Sequence, residues 1–222
     1  MIDAWATLPL GARAALEEQW NALAAGGLAC GAAIVDSNDQ VVASGRNHAY
    51  DAAGPLETRR RYALQHNRLA HAELNALACV ATEVDHQALT LWSTQHPCSM
   101  CAAALSFVAI GRVAYIADDL SDASDTERIV ASRGSIPYHP LGQPLWWTIS
   151  NLLFMHNPAV RSGRNVGSVK RALTHFPELA ELALNLARDD ALGKAARSGG
   201  TLPSGLEPYR SQIQHCAEGI LL

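Results

Sequence analysis

Nowhere does this chain sustain the run of about 20 apolar residues that a membrane-crossing helix needs. Its most apolar late stretch, PLWWTISNLLFM (residues 144–155), stops short of that length and predicts a core or interface helix. A basic surplus is also missing: 17 Lys and Arg face 21 Asp and Glu, a formal net charge of −4 with histidine neutral. Proteins that grip long nucleic acids neutralise phosphates with Lys and Arg, so this balance argues against a nucleic-acid partner. The amino terminus shows neither a basic n-region nor an unbroken apolar h-region, and the five cysteines are odd in number and scattered. Together these absences predict a cytoplasmic setting with free thiols rather than a disulfide framework.

What is present suits one domain with elaborations: 222 residues, 49% of them hydrophobic, enough to bury a core. Helical spacing over residues 11–25 ends at Gly26-Gly27. Two β-rich runs, 31–35 and 41–44, flank the turn-forming Ser37-Asn38-Asp39 and read as a hairpin. Residues 49–61 have no period and end in the basic run Arg59–Arg61, which reads as a solvated loop. A helix is expected over 69–82, a strand over 88–94, a helix over 97–110 closed by Gly111, and a strand over 112–117. Strands separated by such helices predict an α/β fold with a partly parallel sheet packed by helices. The deduced organisation is one domain over 1–136 and a mainly helical extension over 137–222. Within that extension, helical patterns cover 146–156 and 177–196, and SGGTLPSG (198–205) reads as flexible.

The stretch HPCSMCAAALSFVAIG, from His96 to Gly111, sets two thiols three apart before an apolar helical run. Pro97 suits the first helical turn, and Cys98 and Cys101 then project from one side of it. A redox pair lacks its usual context, and a four-cysteine structural site lacks its second close pair. A third ligand comes from the opening of the preceding helix, His71-Ala72-Glu73. One imidazole and two thiolates leave the fourth tetrahedral position to water, the mark of a catalytic Zn2+ rather than a structural one. Glu73, two residues from His71, is placed to move a proton.

His71-Ala72-Glu73 with Pro97-Cys98-Ser99-Met100-Cys101, each opening a helix with a strand between, resembles the signature of the cytidine deaminase-like superfamily. Within it the chain is similar to the branch holding guanine deaminases and tRNA adenosine deaminases, over roughly residues 11–122. The resemblance implies a three-layer α/β/α fold with a mixed central sheet. It implies zinc-dependent hydrolytic deamination, in which water replaces an exocyclic amine on a nucleobase, nucleoside or related heterocycle and ammonia leaves. Glu73 would protonate the ring nitrogen and then the leaving amine. Asn47, in SGRNHAY, matches an asparagine that binds substrate in the family. Ala72 and Asp118 are expected to touch substrate as well, Asp118 with Asp119 because they end a strand on the site side. His96 stands where the branch usually has Glu, and the stretch from Asn47 to His71 is longer than usual. A homodimer is expected from the family, with the WWTISNLLF helix as the contact. Two other readings are a tRNA adenosine-to-inosine deaminase and a non-catalytic zinc-stabilised binding module; the charge balance weighs against the first, and Glu73 against the second. Trp92, Trp146 and Trp147 are expected in the core, and Cys30 and Cys79 as inert core thiols.

Overall fold

In the computed structural model, which describes residues 2–51, 64–120 and 136–220, the hairpin forms as its turn chemistry predicts. Strand β1 (Gly31–Val35) pairs antiparallel with β2 (Val41–Arg46). The turn is held by Asp36, whose carboxylate accepts the Asn38 and Gln40 backbone N–H groups at 2.9 Å each. Asp39 takes the left-handed conformation at φ 59°, one that aspartate tolerates better than most residues. The other edge of β1 pairs antiparallel with β3 (Thr90–Gln95), which is followed in parallel by β4 (Arg112–Ala117) and β5 (Tyr138–Pro140). The sheet order is β2-β1-β3-β4-β5, a mixed sheet in an α/β fold.

Helices cover both faces of this sheet. A short α1 (Ile2–Ala6) precedes α2 (Leu10–Ala24), which lies across β1, β2 and β3 on one face. On the other face lie α3 (Ala72–Leu77) and α4 (Ser99–Phe107). Two glycines set how closely these layers approach. A Cβ on Gly31 would sit 2.1 Å from the Ala15 carbonyl oxygen of α2, and one on Gly45 would sit 2.5 Å from the Ala76 nitrogen of α3. Only a hydrogen side chain lets backbone meet backbone there.

The remaining helices are α5 (Pro144–Ser162), α6 (Gly167–His175), α7 (Pro177–Arg188), α8 (Ala191–Arg197), α9 (Leu202–Leu206) and α10 (Arg210–Glu218). They join α2 in one apolar cluster that includes Leu16, Trp20, Trp146, Leu152, Leu179 and Ile213. At its centre α5 is buried without a break from Trp146 to Ala159. A helix buried on all sides belongs to an interior, and its Ser150 is hydrogen-bonded inward, to the Thr94 carbonyl at 2.7 Å. The expected inter-subunit face on WWTISNLLF is therefore already covered by the chain itself. No helix among the described residues is long and apolar enough to cross a membrane.

Four local expectations change. The helix expected over 69–82 forms only from Ala72 to Leu77. Before it, Asn67 turns the chain by accepting the Leu69 N–H at 2.9 Å. After it, Cys79 and Val80 bond three residues back, to Ala76 and Leu77, as a tightening last turn does. Pro97 lies outside α4, since Cys98 is the N-cap with an extended backbone (φ −65°, ψ 167°). The helix expected over 177–196 breaks at Asp190, which has φ 51°. The segment expected to be flexible, 198–205, begins α9, with the Thr201 hydroxyl capping the Ser204 N–H. The Arg59–Arg61 run lies outside the described residues.

Candidate metal centre

The register of the strands brings separate pieces of sequence to one end of the sheet. Gly31 faces Arg46 across the hairpin, Ala32 faces Ser93, and Gln95 faces Ala117. Cys30, Asn47, His96 and Asp118 therefore cluster where β1 begins and β2, β3 and β4 end. The chain leaves β2 and β3 at this end to begin α3 and α4. Ligands in α/β sheets gather at the carboxyl ends of parallel strands, because the crossovers open a crevice there.

His71 and Cys98 occupy equivalent places, each the extended N-cap residue of its helix. Cys101 follows within the first turn of α4. The ligand atoms of His71, Cys98 and Cys101 all lie within 4.8 Å of one another, the one such grouping of metal-ligating side chains among the described residues. The sulfur atoms stand 3.6 Å (Cys98) and 3.5 Å (Cys101) from His71 Nδ1. Zinc bonds of ~2.3 Å to sulfur and ~2.05 Å to nitrogen, at a tetrahedral angle, require an N···S edge of ~3.6 Å. The donor set and its spacing fit a zinc ion bound by three protein ligands.

Glu73, buried in the first turn of α3, completes the cluster. Its Oε2 accepts from Cys101 Sγ at 3.4 Å, and its Oε1 accepts from the Ser93 hydroxyl at 3.2 Å. Burial raises the Glu73 carboxyl above the usual carboxylate range. The hydrogen bond from Cys101, helped by one from His71, pulls the Cys98 thiol down to about 4 despite burial. Cys101 moves the other way, pushed up first by its hydrogen bond to Cys98 and then by burial and the Glu73 charge. His71 is raised, first by its hydrogen bond to Cys98. Carboxylate and thiolate so outnumber the one imidazole that a divalent cation suits the site.

Of the remaining expected site residues, Ala72 is buried between His71 and Glu73. Asn47 is buried, and its Oδ1 accepts the Ala49 N–H at 2.9 Å. Because an N–H must meet oxygen, the amide nitrogen of Asn47 is the other end, and it has no partner among the described residues. Asp118 is turned to the helical layer, where its carboxylate accepts from Trp147 Nε1 at 3.0 Å. The charge of its neighbour Asp119 is the one that acts on His71 and on the Cys30 thiol. His96 packs between Tyr115 and Tyr138, ring centroids 4.7 and 5.3 Å away.

One thiol differs from expectation. Cys30 packs against both apolar clusters as expected, and burial first, then the charges of Glu73, Asp119 and Cys98, raise it and keep it protonated. Cys79 is exposed, its sulfhydryl on the Asn75 carbonyl at 3.4 Å. Trp146 and Trp147 are buried as expected, while Trp92 is partly exposed beside Gly11. Ser93 was not foreseen. Its one signal is a hydroxyl on the inward side of a strand, opposite Ala32.

Residues 10–117 match the family model for the cytidine and deoxycytidylate deaminase zinc-binding region. No curated protein matches the chain. Among solved structures, a mutant of NE0047 in complex with 8-azaguanine is 19% identical, with 68% of this chain and 86% of that chain covered and a TM-score of 0.51, a likeness of fold. A guanine deaminase from Nitrosomonas europaea is 19% identical over 65% of this chain and 81% of its own, with a TM-score of 0.49. A tRNA:A34 deaminase is 24% identical over 57% and 92%, with a TM-score of 0.44.

Proposed function

We propose, from the premise that this chain carries the zinc-binding domain of the cytidine deaminase-like superfamily and is a zinc-dependent hydrolytic deaminase, that its substrate is a small amino-substituted nucleobase, nucleoside or related heterocycle. The observation that carries the reading is the buried Glu73 carboxylate hydrogen-bonded beside three ligand atoms that fit zinc. A site kept for structure alone has no use for a desolvated carboxylate next to a three-ligand metal.

His71, Cys98 and Cys101 would hold the zinc, which when bound supplies a Lewis acid that brings the pKa of water to about 7. Glu73 would accept the proton that water gives up, a transfer favoured by a carboxyl that burial raises above its ordinary range. It then delivers that proton to the ring nitrogen beside the amine-bearing carbon as the water oxygen bonds to that carbon; the proton on the new hydroxyl passes through Glu73 to the amine, the C–N bond breaks, and ammonia leaves behind the carbonyl. The Ser93 hydroxyl holds one carboxylate oxygen; the other, which accepts from Cys101 Sγ, would be freed for this traffic once that thiol binds the metal as thiolate. Asn47 offers its unpartnered amide N–H2 to an acceptor on the ring, and the small Ala72 side chain leaves room for that ring against the start of α3.

A formal charge of −4 supports a free small molecule over a tRNA stem. The amino-substituted ring of 8-azaguanine, held by the NE0047 mutant of the same fold, accords with that class. We further place the protein in the cytoplasm as a homodimer, and the cysteines, all free, accord with a reducing compartment. The test is ammonia release from zinc-loaded protein offered guanine, adenine, cytosine, their nucleosides and amino-triazines. Turnover of at least one is expected. Failure of all, with turnover of a tRNA anticodon loop, would overturn the substrate class.

A further inference from the structure

The chain around Asn47 is held by more contacts than a strand end requires. The Asn47 N–H donates to the Cys30 carbonyl at 3.0 Å, and the His48 N–H donates to the carbonyl of Ala70, the residue before His71, at 2.9 Å. Asn75 of α3 donates from Nδ2 to the Arg46 carbonyl at 2.9 Å. The Arg46 guanidinium then closes the segment, with Nη1 reaching the Asn47 carbonyl at 3.2 Å and Asp51 Oδ1 at 2.6 Å, and Nη2 reaching Asp51 Oδ2 at 3.0 Å. His48 Nδ1 meets the same Asp51 Oδ2 at 2.9 Å. One carboxylate thus joins the residue before Asn47 to the residue after it.

This carboxylate is not a surface ornament. The Asp51 side chain is 6% exposed and that of Arg46 19%. A two-pronged guanidinium–carboxylate pair fixes orientation as well as distance, which a flexible surface pair does not. Burial would raise the Asp51 carboxyl, but the hydrogen bonds from His48 and Arg46 outweigh it and hold it at about 2. It stays ionised wherever the enzyme would work.

We propose that Asp51 is a positioning residue: gripping Arg46 and His48, it fixes the main chain on either side of Asn47 so that the free amide nitrogen of Asn47 faces the substrate ring. The proposal rests on the reading of Asn47 as a substrate contact. Among the described residues the side chain of Asp51 bonds to Arg46 and His48 and not to the metal ligands or Glu73, so its loss should weaken substrate binding and spare the proton transfers.

A double-mutant cycle tests this, read as kcat, KM and the calorimetric Kd of the oxo product, with zinc content and Tm as controls. Asp51→Asn is expected to raise KM and product Kd about tenfold with kcat little changed, and to have no further effect once Asn47→Ala is present, since residues acting through one contact are not additive. A silent Asp51→Asn, or one that shifts KM equally in both backgrounds, overturns the proposal. A silent Asn47→Ala sinks the reading of Asn47 as well; an effective Asn47→Ala beside a silent Asp51→Asn sinks only the clamp. Should Asp51→Asn fail to fold, Arg46→Lys keeps the charge without the two-pronged geometry. It should raise KM in the same direction, and an unchanged KM again overturns the proposal.

Discussion

The two faces of the sheet spend their residues differently. The face covered by α3 and α4 is built from short helices and small side chains, with Ala32, Ala43, Ala72 and Ala76 in its apolar cluster. Its polar groups sit at helix starts and converge on one point. The opposite face carries α2, α5 and the helices after it, with Trp20, Trp146, Trp147 and Phe154 in a larger cluster. Polar groups are buried there too, yet they spread along α5 and serve packing: Ser150 donates to the Thr94 carbonyl at 2.7 Å, and Asn157 to the Gly27 carbonyl at 2.6 Å. Even the histidines repeat the contrast. Both have a carboxylate close by, but His156 meets Asp190 and the Gly193 N–H alone, whereas His71 meets two thiols. Burial beside a carboxylate does not make a site. Convergence of several metal-ligating side chains on one point does.

The contrast predicts separable losses. His71→Ala should remove both zinc and turnover, while Glu73→Gln should cut kcat by about 10²–10⁴-fold and leave zinc content at the wild-type level. Metal analysis beside steady-state rates checks both, and zinc lost from Glu73→Gln would count against its assigned role. Across the sheet, Trp146→Ala empties a site in the helical core. It should cost about 3–5 kcal/mol, a fall in Tm on the order of 10 °C, with kcat per folded molecule kept. A Tm held level, or a kcat lost in step with it, would erase the difference between the faces.

The smallest effect concerns acid. Because the Asp51 carboxyl is held at about 2 in the folded protein, below its ordinary ~3.9, its stabilisation is complete above about pH 4 and is lost as pH falls towards 2. Stability measured against pH should steepen over that window in the wild type and less so in Asp51→Asn. Identical slopes would mean that the Arg46–Asp51–His48 contacts contribute nothing.

Much of this was legible because the relevant signals are local. Gly31–Val35 and Arg112–Ala117 form strands over the residues expected, since β-rich runs bounded by turn residues need little tertiary help. The candidate ligands, which the structure brings together, were legible because two local motifs combine, His71-Ala72-Glu73 at one helix start and Pro97 before Cys98 at the other. What escaped depends on register or on distant packing. Ser93 meets Glu73 only because β3 places its hydroxyl towards α3. Asp118 faces Trp147 because α5, far along the chain, packs against β4. The helix over 72–77 is shorter than its periodicity suggests because Asn67 turns the chain before it and tight bonds close it after Leu77. The order of 198–205 comes from a cap at Thr201, with the Trp20 ring hydrogen-bonded to the Gly200 carbonyl at 2.7 Å.

The central claim is a zinc ion held by one imidazole and two thiolates with a coordination position left to water. X-ray absorption at the zinc edge on purified protein, with metal stoichiometry measured on the same sample, addresses it directly. The account predicts one zinc per chain with two sulfurs at ~2.3 Å, one histidine nitrogen at ~2.0–2.1 Å and one further light atom. Absence of zinc, or a closed shell of four protein ligands, would contradict it.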